Sequence, residues 1–262
     1  MTATLLPGLT DTEVRAALGT VVDPELDEPI TDLGFVRSVS VEGATVEVHL
    51  RLPTSFCAQN FAWLMASDAQ EAVAAVPGVE RVVVELDDHS DSDLINRGLA
   101  AAAGYRGTFG HEAEESLDEL RATFHRKAHT AAMERALTAL LRADRSRTEA
   151  DLPEVRLRDL PADEPTTDAL LRRRATLGLP THGDAPVLVT DDGTRPSPQQ
   201  SSLLLRRARS VRISVDGNAH FCRGLLATRY PGAEADQAPR PDPDPVHPDP
   251  DTHPLLPLEV LS

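Results

Sequence analysis

The sequence predicts an α+β protein with a small N-terminal domain, and three observations support this prediction. Forty per cent of the 262 residues are hydrophobic even without glycine, which is enough to bury a core. Within the first 90 residues, helical spacing of apolar positions gives way twice to the every-second-residue alternation of strands. Turn-forming pairs, Glu42-Gly43 and Pro77-Gly78, separate these segments.

The N-terminal elements are predicted in the order helix, hairpin, helix, strand. Thr10 stands three residues before Glu13, the spacing of a capped helix start, and two prolines keep the acidic loop 22–29 from being helical. The predicted bounds are residues 35–41 and 44–52 for the hairpin, 59–76 for the second helix and 79–86 for the third strand.

The remainder of the chain is predicted to hold a helical segment, a hinge, a second α/β unit and a tail. In that unit, residues 187–190 and 211–215 are predicted strands and residues 218–228 a last helix. The tail contains nine of the 21 prolines, a composition too polar to bury a core, and is expected to be disordered. The predicted divisions are 1–90 (α+β domain), 91–143 (helical bracing), 144–166 (hinge), 167–230 (small α/β domain) and 231–262 (acidic Pro-rich tail).

Charge is distributed unevenly and limits the possible partners. Residues 1–90 carry 15 acids and four bases, whereas residues 91–230 carry 20 acids and 21 bases. The acidic domain would repel phosphates, so nucleic acid is not an expected partner, and the Arg-rich surface is predicted to face the acidic domain or an acidic partner. No segment has the length and apolarity of a membrane helix, and we expect a cytoplasmic protein with no membrane partner.

The two cysteines are expected to be reduced thiols in the cytosol. Cys57 follows a strand-exit loop and precedes a helix, where backbone N–H groups and the helix dipole favour a metal-binding thiolate. The acidity of the domain opposes that charge, so a functional thiolate and a small buried side chain both remain open for Cys57. Cys222, inside a predicted helix, is expected to be a packed core residue.

Four motifs together resemble the iron–sulfur cluster assembly domain of SufT-type and PaaD-type proteins. They are DPE at residues 23–25, ITDLGFV at 30–36, TSFC at 54–57 and VPGV at 76–79. The resemblance covers residues 10–90 and implies that Cys57 is the metal ligand, with Asp23, Glu25 and Thr54 at the same cofactor-binding site. The implied cofactor is a transient iron–sulfur cluster or iron. The chain departs from the family pattern at Ala58, where many members have proline.

The function that the resemblance implies is a non-enzymatic assembly or delivery factor. Its partners would be an apo-client protein, other assembly factors and a second copy in a homodimer. The longer C-terminal part, with residues 217–224, resembles family forms that accompany di-iron monooxygenases, so an oxygenase component is the expected client. The alternative is a protein-interaction adaptor that keeps the fold without metal chemistry. Two thiols cannot supply the four ligands of a typical cluster, so the chain alone is not a self-sufficient cluster protein.

Overall fold

A computed structural model describes residues 9–110 and 117–239 and confirms the α+β class. The only strands of the described residues form one three-stranded sheet, ordered β1-β2-β3. The elements are α1 (Asp11–Leu18), β1 (Val36–Glu42), β2 (Thr45–Arg51), α2 (Gln59–Ala74), β3 (Arg81–Asp87), α3 (Ser92–Ala100), α4 (Gly104–Phe109), α5 (Leu117–Ala143), α6 (Pro165–Thr176) and α7 (Pro198–Arg229).

Helix α1 begins as its capping residues predict. The Thr10 hydroxyl accepts the backbone N–H of Glu13, and the Glu13 carboxylate accepts the backbone N–H of Thr10 at 3.0 Å. The two bonds satisfy N–H groups that the first turn would otherwise leave unpaired. Val14 and Leu18, four residues apart, bury the inner face of the helix completely.

The sheet brings two loops together at one edge. β1 and β2 form the predicted antiparallel hairpin, and β2 pairs in parallel with β3 after the chain crosses over through α2. Parallel strands end at the same edge, and here their final residues, Arg51 and Asp87, lie opposite each other. The exit loop (residues 52–58) and the β3–α3 loop (residues 88–91) therefore emerge side by side.

Two hydrophobic cores are present, and the C-terminal part of the chain enters both. The first is the N-terminal core, built on the sheet, α1 and α2, and Ala219, Leu226 and Ala233 from the far end of the chain are part of it. The second is built from α5, α6, α7 and the segments between them. Helix α7 therefore spans both cores and ties the C-terminal part of the chain to the sheet.

Ion pairs join the Arg-rich part of the chain to the acidic domain, as the charge distribution predicts. Arg173 of α6 pairs with Asp27 at 2.6 Å, and Arg223 of α7 pairs with Glu28 at 2.5 Å. Both carboxylates belong to the acidic loop between α1 and β1. Arginines of the same chain thus pair with two of the negative charges of this loop, those of Asp27 and Glu28.

The strands predicted in the C-terminal part are wrong. Residues 211–215 lie inside α7, a 32-residue helix that starts at a Ser197 capping box, and residues 187–190 pair with no other strand in the described ranges. The alternating β-branched residues suggested a strand, but Val215 is buried while Ile213 is 57% exposed. Burial follows a helical stripe instead, because α7 packs one face along both cores.

None of the described helices is long and apolar enough to cross a membrane.

The predicted hinge is also corrected. Residues 144–166 contain two short 3₁₀ turns, and four aliphatic side chains of this segment are buried in the second core. Its prolines and charged residues suggested a linker, but the segment folds back because every few residues it offers an apolar side chain to α5 and α6. These side chains are Leu152, Val155, Leu157 and Leu160.

The predicted tail begins too early at residue 231. Ala233 is buried in the N-terminal core, Asp236 pairs with Arg51, and the backbone N–H of Ala238 donates to the carbonyl of Asp32 at 2.9 Å. Residues 231–239 thus belong to the folded domain. The rest of the predicted disordered tail, residues 240–262, lies outside the described residues.

Truncation separates these two parts of the predicted tail. A chain that ends at residue 230 should melt several degrees lower than the full chain, because it loses a buried side chain and the Arg51–Asp236 pair. A chain that ends at residue 239 should keep the melting temperature, since the removed composition is polar and rich in proline. Calorimetry on both chains checks this, and equal melting temperatures would show that residues 231–239 contribute nothing.

Candidate functional site

Cys57 lies where the exit loop turns into α2, as the sequence predicts, and is half-buried. The Thr54 hydroxyl lies 3.5 Å from the Cys57 Sγ and also accepts the backbone N–H of Phe56 at 3.2 Å. Thr54 therefore closes a local turn that fixes the direction of the thiol. The structure brings Thr54 and Cys57 together as the motif implies.

His89 holds the backbone of the cysteine from the neighbouring loop. Its Nδ1 accepts the backbone N–H of Asp91 at 3.1 Å, so its proton is on Nε2, which donates to the Cys57 carbonyl at 2.8 Å. A second bond joins the same loops, from the Ser90 N–H to the Ser55 carbonyl at 2.9 Å. Sequence reasoning missed His89, because a single histidine after a strand carries no pattern that distinguishes it.

Ala58 keeps the turn that proline would impose after the cysteine. Its φ is −55° and its ψ is 130°, which lies within the range that a proline ring allows. Alanine supplies no side-chain cap to α2, and proline would supply none either. The departure from the family pattern therefore leaves the path of the chain at Cys57 unchanged.

The acidic loop folds around the buried carboxylate of Asp23. The Asp23 Oδ1 accepts the backbone N–H groups of Glu25 at 2.9 Å and Leu26 at 2.8 Å, which closes the loop. Burial raises the pKa of Asp23 to about 6, against the lowering effect of these two bonds. Asp23 thus shapes the loop, while Glu25 points to α7, where Asn218 Nδ2 donates to its carboxylate at 3.3 Å.

Cys222 packs against a core, as expected, but its side chain is not fully buried. The side chain is half-buried and packs on the N-terminal core, as Cys57 does. Burial, and to a smaller extent the negative charges of Asp23, Cys57 and Glu25, together raise the pKa of the Cys222 thiol to about 12. Cys57 and Cys222 thus pack on the same core, although more than 160 positions of sequence separate them.

Each of the two cysteines follows an exposed phenylalanine in the chain. Phe56 is 85% exposed and Phe221 is 69% exposed, and each precedes one of the cysteines in the chain. Among the described residues, no group of three or more His, Cys, Asp or Glu side chains is arranged to hold a metal ion.

The order of elements and the thiol at the start of α2 define a small cysteine-bearing α+β domain, joined here to a helical extension. A family model described as iron-sulfur cluster assembly protein matches residues 11–86. An uncharacterized protein of Methanocaldococcus jannaschii is 35% identical over 92 residues, which are 35% of this chain and 95% of that protein. The chain belongs to the iron-sulfur cluster assembly protein family.

Two further relatives have names that state a function. The iron-sulfur cluster carrier protein of Mycobacterium leprae is 39% identical over 79 residues, 30% of this chain and 20% of the relative. The protein of the same name from Synechocystis is 36% identical over 78 residues, 30% of this chain and 22% of the relative. This chain thus spans about a fifth of the length of the carriers it matches. No solved structure matches the chain.

The buried Asp23 predicts a dependence of stability on pH. Its pKa rises from 3.8 to about 6 on folding, so the folded state holds the proton more tightly. The protonated Asp23 carboxyl therefore adds to the free energy of unfolding. This contribution is fully present below pH 4 and is lost as the pH rises to 6. Asp23→Asn keeps an acceptor oxygen without the charge, and should therefore be more stable than the native chain above pH 6, by up to about 3 kcal/mol.

Urea unfolding of both chains at several pH values measures this difference. The gap in unfolding free energy should widen between pH 4 and 6 and stay constant above pH 7. A gap that does not change across this range would mean that Asp23 is solvated, and that its two backbone bonds are not in a buried site.

Proposed function

We propose that this protein assembles or carries an iron–sulfur cluster transiently, with Cys57 as the thiolate that binds the cargo. The observation that supports this most directly is the position of Cys57, half-buried at the start of α2 within the family domain. Backbone N–H groups of a first helical turn stabilise negative charge, which suits a thiolate ligand. The names of the mycobacterial and cyanobacterial relatives support a carrier role for the shared domain.

The ligand count favours transient binding over permanent storage. A typical cluster takes four cysteine ligands, and this chain has two cysteines. The remaining positions would be filled by a second copy of the chain, by another assembly factor or by the apo-client. A partner can replace the ligands of this chain one at a time, so that the cluster is transferred to the partner. An incomplete ligand set is therefore suited to cluster transfer. The proposed role is non-enzymatic and cytoplasmic, because thiols stay reduced and able to bind metal in that compartment.

The client that we propose is an oxygenase component. The support is the resemblance of the long C-terminal form, with residues 217–224, to family members that accompany di-iron monooxygenases. Exposed Phe56, next to Cys57, offers an apolar contact for the docked partner.

Anaerobic reconstitution tests the proposal against an adaptor of the same fold. The native chain is incubated with ferrous iron, sulfide and a reductant, then separated from free ions by gel filtration. A carrier should retain iron and sulfide and absorb broadly in the thiolate-to-iron charge-transfer region. An adaptor should emerge without either element, although it would still bind its protein partner. Retention of neither by the folded native chain overturns the cluster proposal.

A further inference from the structure

Helix α7 presents Cys222 on the face that packs against the N-terminal domain. Val215, Ala219 and Leu226 are buried on this face, at spacings of four and seven residues, and Cys222 falls between the last two. The thiol is half-buried, whereas its neighbour Phe221 is 69% exposed on another side of the helix. Cys222 therefore lies at the edge of an interface and not on a free helical surface.

Polar contacts fix this stretch of α7 between the two loops of the site. On one side, Asn218 bonds Glu25 in the acidic loop, and Arg223 pairs with Glu28. On the other side, Arg229 donates to the Leu52 carbonyl at 3.1 Å and to the Ser55 hydroxyl at 2.8 Å. These last two acceptors belong to the exit loop that ends in Cys57.

The contacts therefore place Cys222 between the acidic loop and the loop of the family cysteine. Asn218 lies one helical turn before Cys222, and Arg229 lies two turns after it. Both thiols pack on the same hydrophobic core, and a thiolate at Cys57 would raise the pKa of the Cys222 thiol. No pairing of this kind follows from the family domain, because Cys222 lies outside the matched residues 11–86.

We propose that Cys57 and Cys222 form one dithiol site, in which the C-terminal extension supplies the second ligand for a thiophilic metal or cluster. That the cargo is an iron–sulfur cluster rests on the function proposed above. Each thiol releases its proton to solvent as its sulfur binds iron, and no electron is transferred. Two iron-bound sulfurs from this chain leave half of a four-ligand set open to a partner.

A trivalent arsenical tests the dithiol without any iron. Phenylarsine oxide loses its oxygen as water when it bonds two neighbouring thiols, and it forms only a weak adduct with one. The full native chain should bind it in a one-to-one ratio, and about 100-fold or more tightly than Cys57→Ser or Cys222→Ser, because the second bond is intramolecular. Equal binding by the native chain and the single variants overturns the inference.

A relocated thiol provides the matched control. The double variant Cys222→Ser with Phe221→Cys keeps two thiols but moves one about 100° around α7, away from the interface. It should bind the arsenical as weakly as Cys222→Ser. Native-like binding by this variant would show that the two cysteines meet through chain flexibility, which contradicts a built site.

Iron loading then shows whether the dithiol carries the proposed cargo. Cys222→Ser, folded by circular dichroism, should lose bound iron and sulfide as Cys57→Ser does. If Cys222→Ser loads like the native chain while Cys57→Ser does not, the carrier function stands and the second ligand is refuted. If the native chain binds the arsenical but no iron or sulfide, the carrier function fails and the dithiol geometry is retained.

Discussion

Replacing Cys57 by serine is expected to leave the protein folded and to lower cluster transfer to an apo-acceptor by more than about 100-fold. Loss of a residue that only supports a metal ligand costs about 10–100-fold, and loss of the ligand itself should cost more. Serine has nearly the volume of cysteine, and its hydroxyl can keep the contact with Thr54. A hydroxyl is not a soft ligand for iron. The Cys57→Ser variant should therefore fold normally but lose the thiolate that binds iron.

The measurement is acceptor activity and iron content after incubation with each loaded preparation, with circular dichroism and melting temperature as folding controls. Ser40→Ala, on an exposed position of β1, serves as the preparation control and should transfer normally. Normal transfer by folded Cys57→Ser would contradict the thiolate role and favour the adaptor. In that case Asp23, Glu25 and the surrounding surface would only dock a partner.

Arg174→Ala is expected to lower the free energy of unfolding by at least about 3 kcal/mol, the largest stability effect we expect from a single charged side chain. Arg174 is 1% exposed in α6, and its guanidinium donates to the main-chain carbonyls of Pro180 at 2.7 Å and Pro186 at 3.1 Å. Burial lowers the pKa of its guanidinium. Alanine would remove the donor from both carbonyls and leave a cavity where the buried Arg174 side chain packs.

Two variants on the same helix make this a specific test. Arg172→Ala removes an exposed arginine and should change the unfolding free energy by no more than about 0.5 kcal/mol. Arg174→Lys keeps the charge but lacks the planar fork that reaches two carbonyls, and should be intermediate. Urea unfolding measures all three. An Arg174→Ala chain as stable as Arg172→Ala would show that the turn at residues 180–186 does not depend on this side chain.

The N-terminal domain could be predicted from sequence because its signals are local. The Thr10–Glu13 cap, the hairpin turn at Gly43 and the alternation of β1 and β2 all act over a few residues. In the C-terminal part the local signal was misleading. Val211, Ile213 and Val215 favour a strand by propensity, but the continuous burial of one face of α7 determines the helix.

The candidate site could be predicted only in part, for the same physical reason. Cys57 was identified because its position between a strand and a helix is visible in the sequence. The packing of Cys222 on the N-terminal core depends on how α7 crosses the acidic loop, which no spacing rule covers at a separation of more than 160 residues. His89 reaches Cys57 only because β2 and β3 end at the same edge of the sheet.

Cluster transfer in the presence of an iron chelator tests the carrier function most directly. The loaded chain is mixed with an apo-acceptor under anaerobic conditions, with and without a chelator that captures free iron. A carrier hands its cluster over within a complex, so we predict the same rate and extent of acceptor loading in both cases. If the chelator abolishes acceptor loading, the protein releases free iron rather than delivering a cluster, and the proposed function is contradicted.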